Sequence, residues 1–412
     1  MNSLAWLFAR QRFGIKPGLE RVARLLTLLG DPQDALTCIL VTGTNGKGST
    51  SATLASILKA AGFKTSLFTS PHLSQFGERF LVDGQQLSAA YLEATLARVR
   101  PHAEKAEATF FEIVTALALL LFAEAGAKYA VLECGMGGQN DATNVVEPEL
   151  SLVINVSLEH TRVLGSTVAE IAQDKAGVMR PAKPCLSTAR GEALGVLKRH
   201  AARIGAVFTE VRPEQVRPLG WEGVRFLLDG LELHSPLIGS FQADNAALAA
   251  AAAFTLGVSP EAVRAGVANT VWPGRLEQLS YKGKTVLLDG AHNPAAANVL
   301  ATTLRALPFE RLHLVFGASA DKPVDKLLAP LAPLAGSLYL TTAALNARAL
   351  GAEALAELGV GEVVGHAPSA LETAVANAGK DDLVLVAGSL YLVGELRAYL
   401  LDETGEGLKR WQ

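Results

Sequence analysis

The 412 residues are half hydrophobic, 19% charged and carry a formal net charge of −3, so the chain can fill two cores and has no excess of positive charge. That balance excludes a nucleic-acid binder organised around a basic surface. The three cysteines, Cys38, Cys134 and Cys185, are widely spaced and form no CxxC pair, which excludes a zinc site and a disulfide framework and leaves them as small apolar residues of a reducing compartment.

In chain order, Met1 to Lys16 mixes Arg10, Arg12 and Lys16 with apolar residues and lacks an apolar run ending in a small-residue cleavage site, so no export signal is expected. Cys38 to Val41 reads as a buried strand and Ser51 to Ala61 as the helix behind it. The most apolar stretch, Ile113 to Ala123, is closed by Glu112 and Glu124 and falls far short of the roughly 20 residues of a membrane span. It predicts a buried helix in a soluble, cytoplasmic protein. Tyr129 to Glu133 and Ser151 to Val156 are further strands.

Ala206 to Ser240 is broken by Gly and Pro. Within it Val224 to Leu228 and Leu231 to Leu233 flank the turn Asp229-Gly230, which predicts a small antiparallel appendage. The run Asn245 to Leu256 reads as a helix closing the first domain, and Trp272-Pro273-Gly274 as the linker. Thr285 to Asp289, His313 to Gly317, Ser337 to Thr341 and Leu383 to Ala387 then repeat the strand pattern, each followed by an Ala- and Leu-rich helical stretch. The chain therefore divides into 1–272 and 273–412, two α/β domains without a repeat of solenoid length.

The strongest local signal is Thr42-Gly43-Thr44-Asn45-Gly46-Lys47-Gly48-Ser49-Thr50, set between a buried strand and a helix. Glycines let backbone N–H groups converge on phosphate oxygens, the helix N-terminus faces negative charge, Lys47 neutralises it, and a hydroxyl can hold magnesium. Val41 stands where the general GxxxxGK[ST] loop has its first Gly. Glu133 ends a strand, and the turn Gly135 to Gly138 follows. Its carboxylate should project at the C-terminal sheet edge beside the loop, as a hard oxygen ligand for magnesium. Asp289-Gly290-Ala291-His292-Asn293-Pro294 brings polar side chains to the end of a second-domain strand, though in isolation DG and NP also read as a plain turn.

The chain resembles the folylpolyglutamate synthase and dihydrofolate synthase family of the Mur-ligase superfamily. The resemblance runs from about Phe13 to Glu395 through FGIKPGLERV, TGTNGKGST, FTSPHLSQFGER, TFFEIVTALAL, VLECGMGGQNDATNV, LGSTVAEIAQDKAGV, WPGRLE, LDGAHNPAAA, GASADKP and AGSLYLVGE. It implies an N-terminal P-loop ATPase-like domain with a mostly parallel sheet, and a C-terminal Rossmann-like ligase domain. It also implies that Thr44, Asn45, Gly46, Lys47, Gly48, Ser49 and Thr50 hold ATP. Gln242 and Asn245 match residues near the adenine, or serve as helix-start amides. Arg275, Asp289 and His292 would face the nucleotide from the second domain.

The resemblance further assigns one magnesium to Ser49 and Glu133, and a second to Ser70, Glu133 and His160. Relatives usually have Asp-His-Thr where this chain has Glu159-His160-Thr161. Lys175 matches a lysine that is typically carbamylated, and joins Lys47 and His292 in the catalytic set. Thr109, Phe111, Asp141 and Ala142 match positions lining a pterin pocket, and Arg79 goes with them. Gln139 stands where relatives commonly have Arg, which bears on substrate preference. The implied substrates are ATP, L-glutamate and a reduced folate or dihydropteroate, joined through an acyl phosphate in a monomer that also uses potassium. Two other readings share parts of the pattern. A Mur-type ligase acting on another carboxylate usually carries an N-terminal UDP-binding domain, for which Lys47 lies too near the N-terminus. A P-loop nucleotide switch needs no second domain bearing DGAHNP.

Overall fold

The computed structural model describes residues 2–10, 18–344, 348–357 and 359–403. Met1, Arg12 and the Phe13–Pro17 part of the FGIKPGLERV segment, with Lys16, lie outside the described residues.

The first sheet contains β1 (Thr37–Thr42), β2 (Thr65–Phe68), β3 (Phe80–Val82), β4 (Gln85–Gln86), β5 (Tyr129–Glu133), β6 (Leu150–Val153), β7 (Pro184–Ser187) and β8 (Val207–Glu210). Their order is β4-β3-β2-β5-β1-β6-β7-β8. The six strands from β2 to β8 run parallel, while β3 and β4 add an antiparallel edge. Strand β1 shows why both faces need cover. Cys38 and Leu40 point into one core, Ile39 and Val41 into the other, and a parallel strand buried on both faces must be apolar throughout.

One core is covered by the helices Lys47–Ala60, Gln242–Thr255 and Pro260–Ala268. The other is covered by Ser3–Ala9, Glu20–Leu28, Ala89–Ala106, Phe110–Glu124, Val168–Ala176 and Gly191–Ile204. The apolar run read as a buried helix is the Phe110–Glu124 helix, started by a capping box between Thr109 and Glu112. Among the described residues no helix is long and apolar enough to cross a membrane.

The antiparallel appendage is smaller than expected. It comprises β9 (Glu214–Pro218), β10 (Val224–Leu228) and β11 (Leu231–Ser235), ordered β11-β10-β9, and β10 and β11 meet at Asp229 and Gly230, both at positive φ. The preceding Val207–Glu210 instead continues the first sheet, pairing in parallel with β7. Strand β6 also stops earlier than Ser151 to Val156 suggested, because Asn155 turns its side chain to the neighbouring loop. The helix expected to close the first domain spans Gln242–Thr255 and is followed by another, Pro260–Ala268, which Ser259 caps and Pro260 starts.

The second sheet contains β12 (Glu277–Tyr281), β13 (Lys284–Leu288), β14 (Leu312–Phe316), β15 (Ala335–Thr342), β16 (Glu362–His366) and β17 (Leu383–Ala387), ordered β12-β13-β17-β14-β15-β16. Only the β12–β13 pair is antiparallel. Helices again cover two faces, since Leu383, Leu385 and Ala387 enter one core and Val384 and Val386 the other.

Candidate active site

The parallel register gathers the polar residues at one edge. Val41 of β1 lies opposite Glu133 at the end of β5, and Thr42 opposite Val153 at the end of β6. Phe68 of β2 lies opposite Leu132 of β5. The segments leaving these strands therefore emerge side by side: Thr69 to Ser74, Cys134 to Gly138, Gly43 to Gly46, and Ile154 to His160. This is where open α/β sheets bind ligands.

Two glycines of the loop are required by close packing. A side chain at Gly46, where φ is 89°, would strike the Asn245 carboxamide, and one at Gly48 would enter the Trp272 indole. The loop is held from below by Asn155, whose Oδ1 accepts from the Asn45 N–H at 2.9 Å while its Nδ2 donates to the Asn45 carbonyl at 2.8 Å. The Thr44 hydroxyl exchanges hydrogen bonds with the Ser157 backbone at 3.2 and 3.0 Å.

Two lysines converge on this loop. Lys47 Nζ donates to the carbonyls of Gly43 at 3.2 Å and Thr44 at 3.0 Å, and Lys175 Nζ donates to Gly43 at 2.8 Å. Lys175 is buried. Burial first, and then the neighbouring charge of Lys47, pull its ammonium down to about 8.

Glu133 is buried and accepts from the Ser70 N–H at 3.0 Å. Burial raises its carboxyl above the ordinary range, against Lys47, that hydrogen bond, Arg275 and Arg79. Ser49 is buried in the first turn of the Lys47–Ala60 helix, and next to it the hydroxyl of Thr50 is buried without a partner. His160 caps the short Thr161–Leu164 helix at positive φ. Its imidazolium is disfavoured by burial and by the charges of Lys322, Lys47 and His292, with Glu159 opposing. No group of three His, Cys, Asp or Glu among the described residues forms a ready-made metal cage. A hydroxyl and one carboxylate beside a phosphate loop nevertheless suit magnesium, which draws its other ligands from water and phosphate.

From the second domain, the Asp289 carboxylate accepts from the N–H groups of Leu276 at 3.0 Å and Ala291 at 2.9 Å, tying the linker to its own turn. Burial raises its carboxyl, with Arg275 opposing. The Arg275 guanidinium lies over Gly290, where a Cβ would collide with it. His292 has Nδ1 2.7 Å from the Gly290 carbonyl and Nε2 3.5 Å from a Glu159 oxygen. Burial works against the Glu159 charge, but His292 and Lys47 outweigh it and hold this carboxyl well below its usual range. Gln242 and Asn245 are buried and bonded to each other at 2.8 Å, with Gln242 Nε2 unpartnered.

The residues expected at the pterin have structural work of their own. Asp141 accepts from the N–H groups of Met136 and Thr143 and from the Thr143 hydroxyl, fixing the Gly135 to Gly138 turn. Thr109 caps its helix, and Ala142 is buried at the start of Ala142–Val145. The Phe111 ring is half-buried against Gly135 and Phe68. Arg79 is buried beneath them, donating to His72 Nδ1 at 2.7 Å, with its guanidinium 6.0 Å from the Phe76 ring and 5.9 Å from the Phe110 ring. Burial pulls it down to about 10. Sequence reasoning passed over Asn155, Trp272 and Asn293 as site residues. The NP dipeptide at Asn293 reads from sequence only as a turn, whereas the structure makes Asn293 the cap of the Pro294–Leu304 helix.

A phosphate loop on a parallel sheet, with a buried carboxylate beside it and a second α/β unit facing it, defines a nucleotide-dependent ligase of the Mur class. The model of the Mur ligase middle domain matches residues 41–189, and that of the Mur ligase glutamate ligase domain matches residues 274–390. The chain is 34% identical to the dihydrofolate synthase/folylpolyglutamate synthase of Bacillus subtilis, over 97% of this chain and 98% of the relative. It is 39% identical to a probable bifunctional folylpolyglutamate synthase/dihydropteroate synthase of Haloferax volcanii, over 96% of this chain but about half, 50%, of that relative's length. The structure of E. coli FolC in complex with DHPP and ADP superposes with a TM-score of 0.88 at 32% identity, covering 98% of this chain and 99% of that one. The chain belongs to the dihydrofolate synthase/folylpolyglutamate synthase family.

Proposed function

We propose that this chain is an ATP- and magnesium-dependent ligase that adds L-glutamate to a folate-type carboxylate, with dihydropteroate as a second acceptor. The observation that carries the reading is the convergence of Lys47 and Lys175 on one loop carbonyl beside the buried Glu133. Two ionised carboxylate and amine partners do not form an amide without activation. In the proposed reaction the γ-phosphoryl group of ATP passes to the acceptor carboxylate, releasing ADP. The glutamate amine then attacks the acyl carbon, loses a proton and expels phosphate.

In this scheme the backbone N–H groups from Thr44 to Thr50 and the Lys47 ammonium hold the phosphates in line with the acceptor, and Gln242 and Asn245 lie toward the base. Ser49 and Glu133 would hold one magnesium, and Ser70, Glu133 and His160 a second, supplying charge neutralisation at the transferring phosphoryl group. Arg275, Asp289 and His292 would meet the nucleotide from units 273–412, across from 1–272. Closure between the two would exclude the water that hydrolyses an acyl phosphate. Thr109, Phe111, Asp141, Ala142 and Arg79 would shape the pterin end of the cleft. The reading includes a cytoplasmic monomer and a potassium requirement.

The test is phosphate release from ATP by the purified protein with magnesium and L-glutamate, in the presence of dihydropteroate, tetrahydrofolate or neither. Turnover that depends on both glutamate and a pterin is expected, and Lys47→Ala should lower it by at least about a hundredfold while the protein stays folded. Phosphate release indifferent to pterin and glutamate would overturn the reading.

A further inference from the structure

The carboxamide of Asn293 connects three parts of the cleft. Its Oδ1 accepts from the Ala296 N–H at 2.9 Å, capping the Pro294–Leu304 helix. Only an oxygen can accept there, so its Nδ2 faces the other way. Nδ2 then donates to Asn45 Oδ1 at 2.9 Å and to Glu159 Oε1 at 3.1 Å. Asn293 is buried, and all three of these hydrogen-bonding directions are used.

Both acceptors belong to the first domain's sheet edge. Asn45 is the fourth residue of the Thr42 to Thr50 loop and has its backbone clamped by Asn155, so its side chain is the part left to report the loop's position. Glu159 lies next to His160 and reaches both Asn293 and, at 3.5 Å, His292. An aspartate at 159 would be one methylene shorter and would draw its carboxylate back by about 1.5 Å, beyond hydrogen-bond range of Asn293.

We propose that Asn293 is a positioning residue that sets the second domain's His292 turn in register with the phosphate loop, with Asn45 and Glu159 as its two anchors across the cleft. The proposal rests on the ligase reading of this cleft and adds to it how the two sheets are brought to one geometry. Phosphoryl transfer depends on placement to within about an ångström. A direct bond from loop to helix N-terminus fixes that placement at one point, close to the reacting groups.

Asn293→Asp tests this while keeping the helix cap, because the new side chain still accepts from Ala296 but cannot donate to Asn45 or Glu159. It should lower kcat at least about tenfold with KM for ATP nearly unchanged, the pattern of lost placement rather than lost binding. Combining it with Glu159→Gln gives the carboxylate a donor to face, so the double variant should recover several-fold over Asn293→Asp alone. A merely structural role predicts additive losses and no recovery. Recovery can be followed without any pterin, as the change in distance between labels on the two domains when the non-hydrolysable ATP analogue AMPPNP and magnesium are added. A wild-type protein that shows that change yet joins no glutamate to a pterin refutes the substrate reading and leaves the latch intact. If Asn293→Asp does not fold, Glu159→Asp supplies the same measurement, with a loss of kcat expected. Wild-type kcat in whichever variant folds, or additive losses in the pair, would overturn the proposal.

Discussion

Lys175 shows how far a residue's chemistry departs from its type. A lysine near the end of a helix is ordinarily solvated, its stem on the surface and its ammonium in water. Here it is buried and aimed at the Gly43 carbonyl, and burial together with Lys47 pulls its ammonium down to about 8. An ordinary lysine, titrating near 10.4, is almost entirely protonated at pH 8. A group lowered to about 8 is half neutral there, and only the neutral amine attacks carbon dioxide. A carbamate carbonyl signal is therefore expected in the 13C spectrum of protein equilibrated with labelled bicarbonate, growing from pH 7 to 8.5 and missing from Lys175→Arg. No signal at pH 8.5 would rule the modification out. The composition of the Thr42 to Thr50 loop was legible from sequence because phosphate binding demands glycines, a lysine and hydroxyls in one short run. Asn155 and Asn293 were not, because an amide that clamps a distant backbone has the same local surroundings as any loop amide.

At the level of elements, the placement of Lys175 depends on a helix lying against a turn. Gly138 touches that helix backbone to backbone, and a Cβ there would fall 2.9 Å from both the Cα and the carbonyl oxygen of Lys175. Its N–H also donates to the Asp174 carboxylate at 2.8 Å. Gly138→Ala must push the Val168–Ala176 helix outward, at about 1–3 kcal/mol, and with it the ammonium of Lys175. A melting temperature lower by several degrees, with weakened AMPPNP binding by calorimetry, is the expected result. An unchanged affinity would mean that the helix does not set the loop. Strands β1, β5, β13, β14, β15 and β17 are read from apolar runs that admit few alternatives, and β10 and β11 from the turn at Asp229-Gly230 that separates them. Strands β9 and β16 lie mostly exposed and β4 has two residues, so neither burial nor period marks them.

Across the whole molecule, the two domains touch away from the phosphate loop as well as beside it, where the Thr69 to Ser74 segment meets the Leu390–Leu400 helix. The Ser74 hydroxyl donates to the Gly394 carbonyl at 3.0 Å, and a Cβ on Gly394 would lie 2.1 Å from the Leu73 carbonyl oxygen. Leu73 and Val393 also close on Gly274 of the linker. Gly394→Ala needs these backbones to part by about 1 Å, a misplacement on the scale that costs up to about a hundredfold in rate. The expected outcome is a folded protein, unchanged in circular dichroism, with kcat reduced tenfold or more and a larger radius of gyration in solution scattering. Full activity would show that the interface tolerates this opening.

The sequence by itself determined the two α/β layers, the phosphate loop, the carboxylate at the end of β5 and the family. Each of these follows from local constraints: apolar period for strands, backbone freedom and charge for the loop, and runs of motif residues for the resemblance. Tertiary structure alone decided that Val207–Glu210 joins the first sheet, that Lys175 turns inward to Gly43, and that Asn293 bridges Asn45 and Glu159. Those outcomes depend on strand order and on the approach of two domains. Such contacts join residues as many as 248 positions apart, and a side chain's local neighbours in sequence say nothing about what it will meet there.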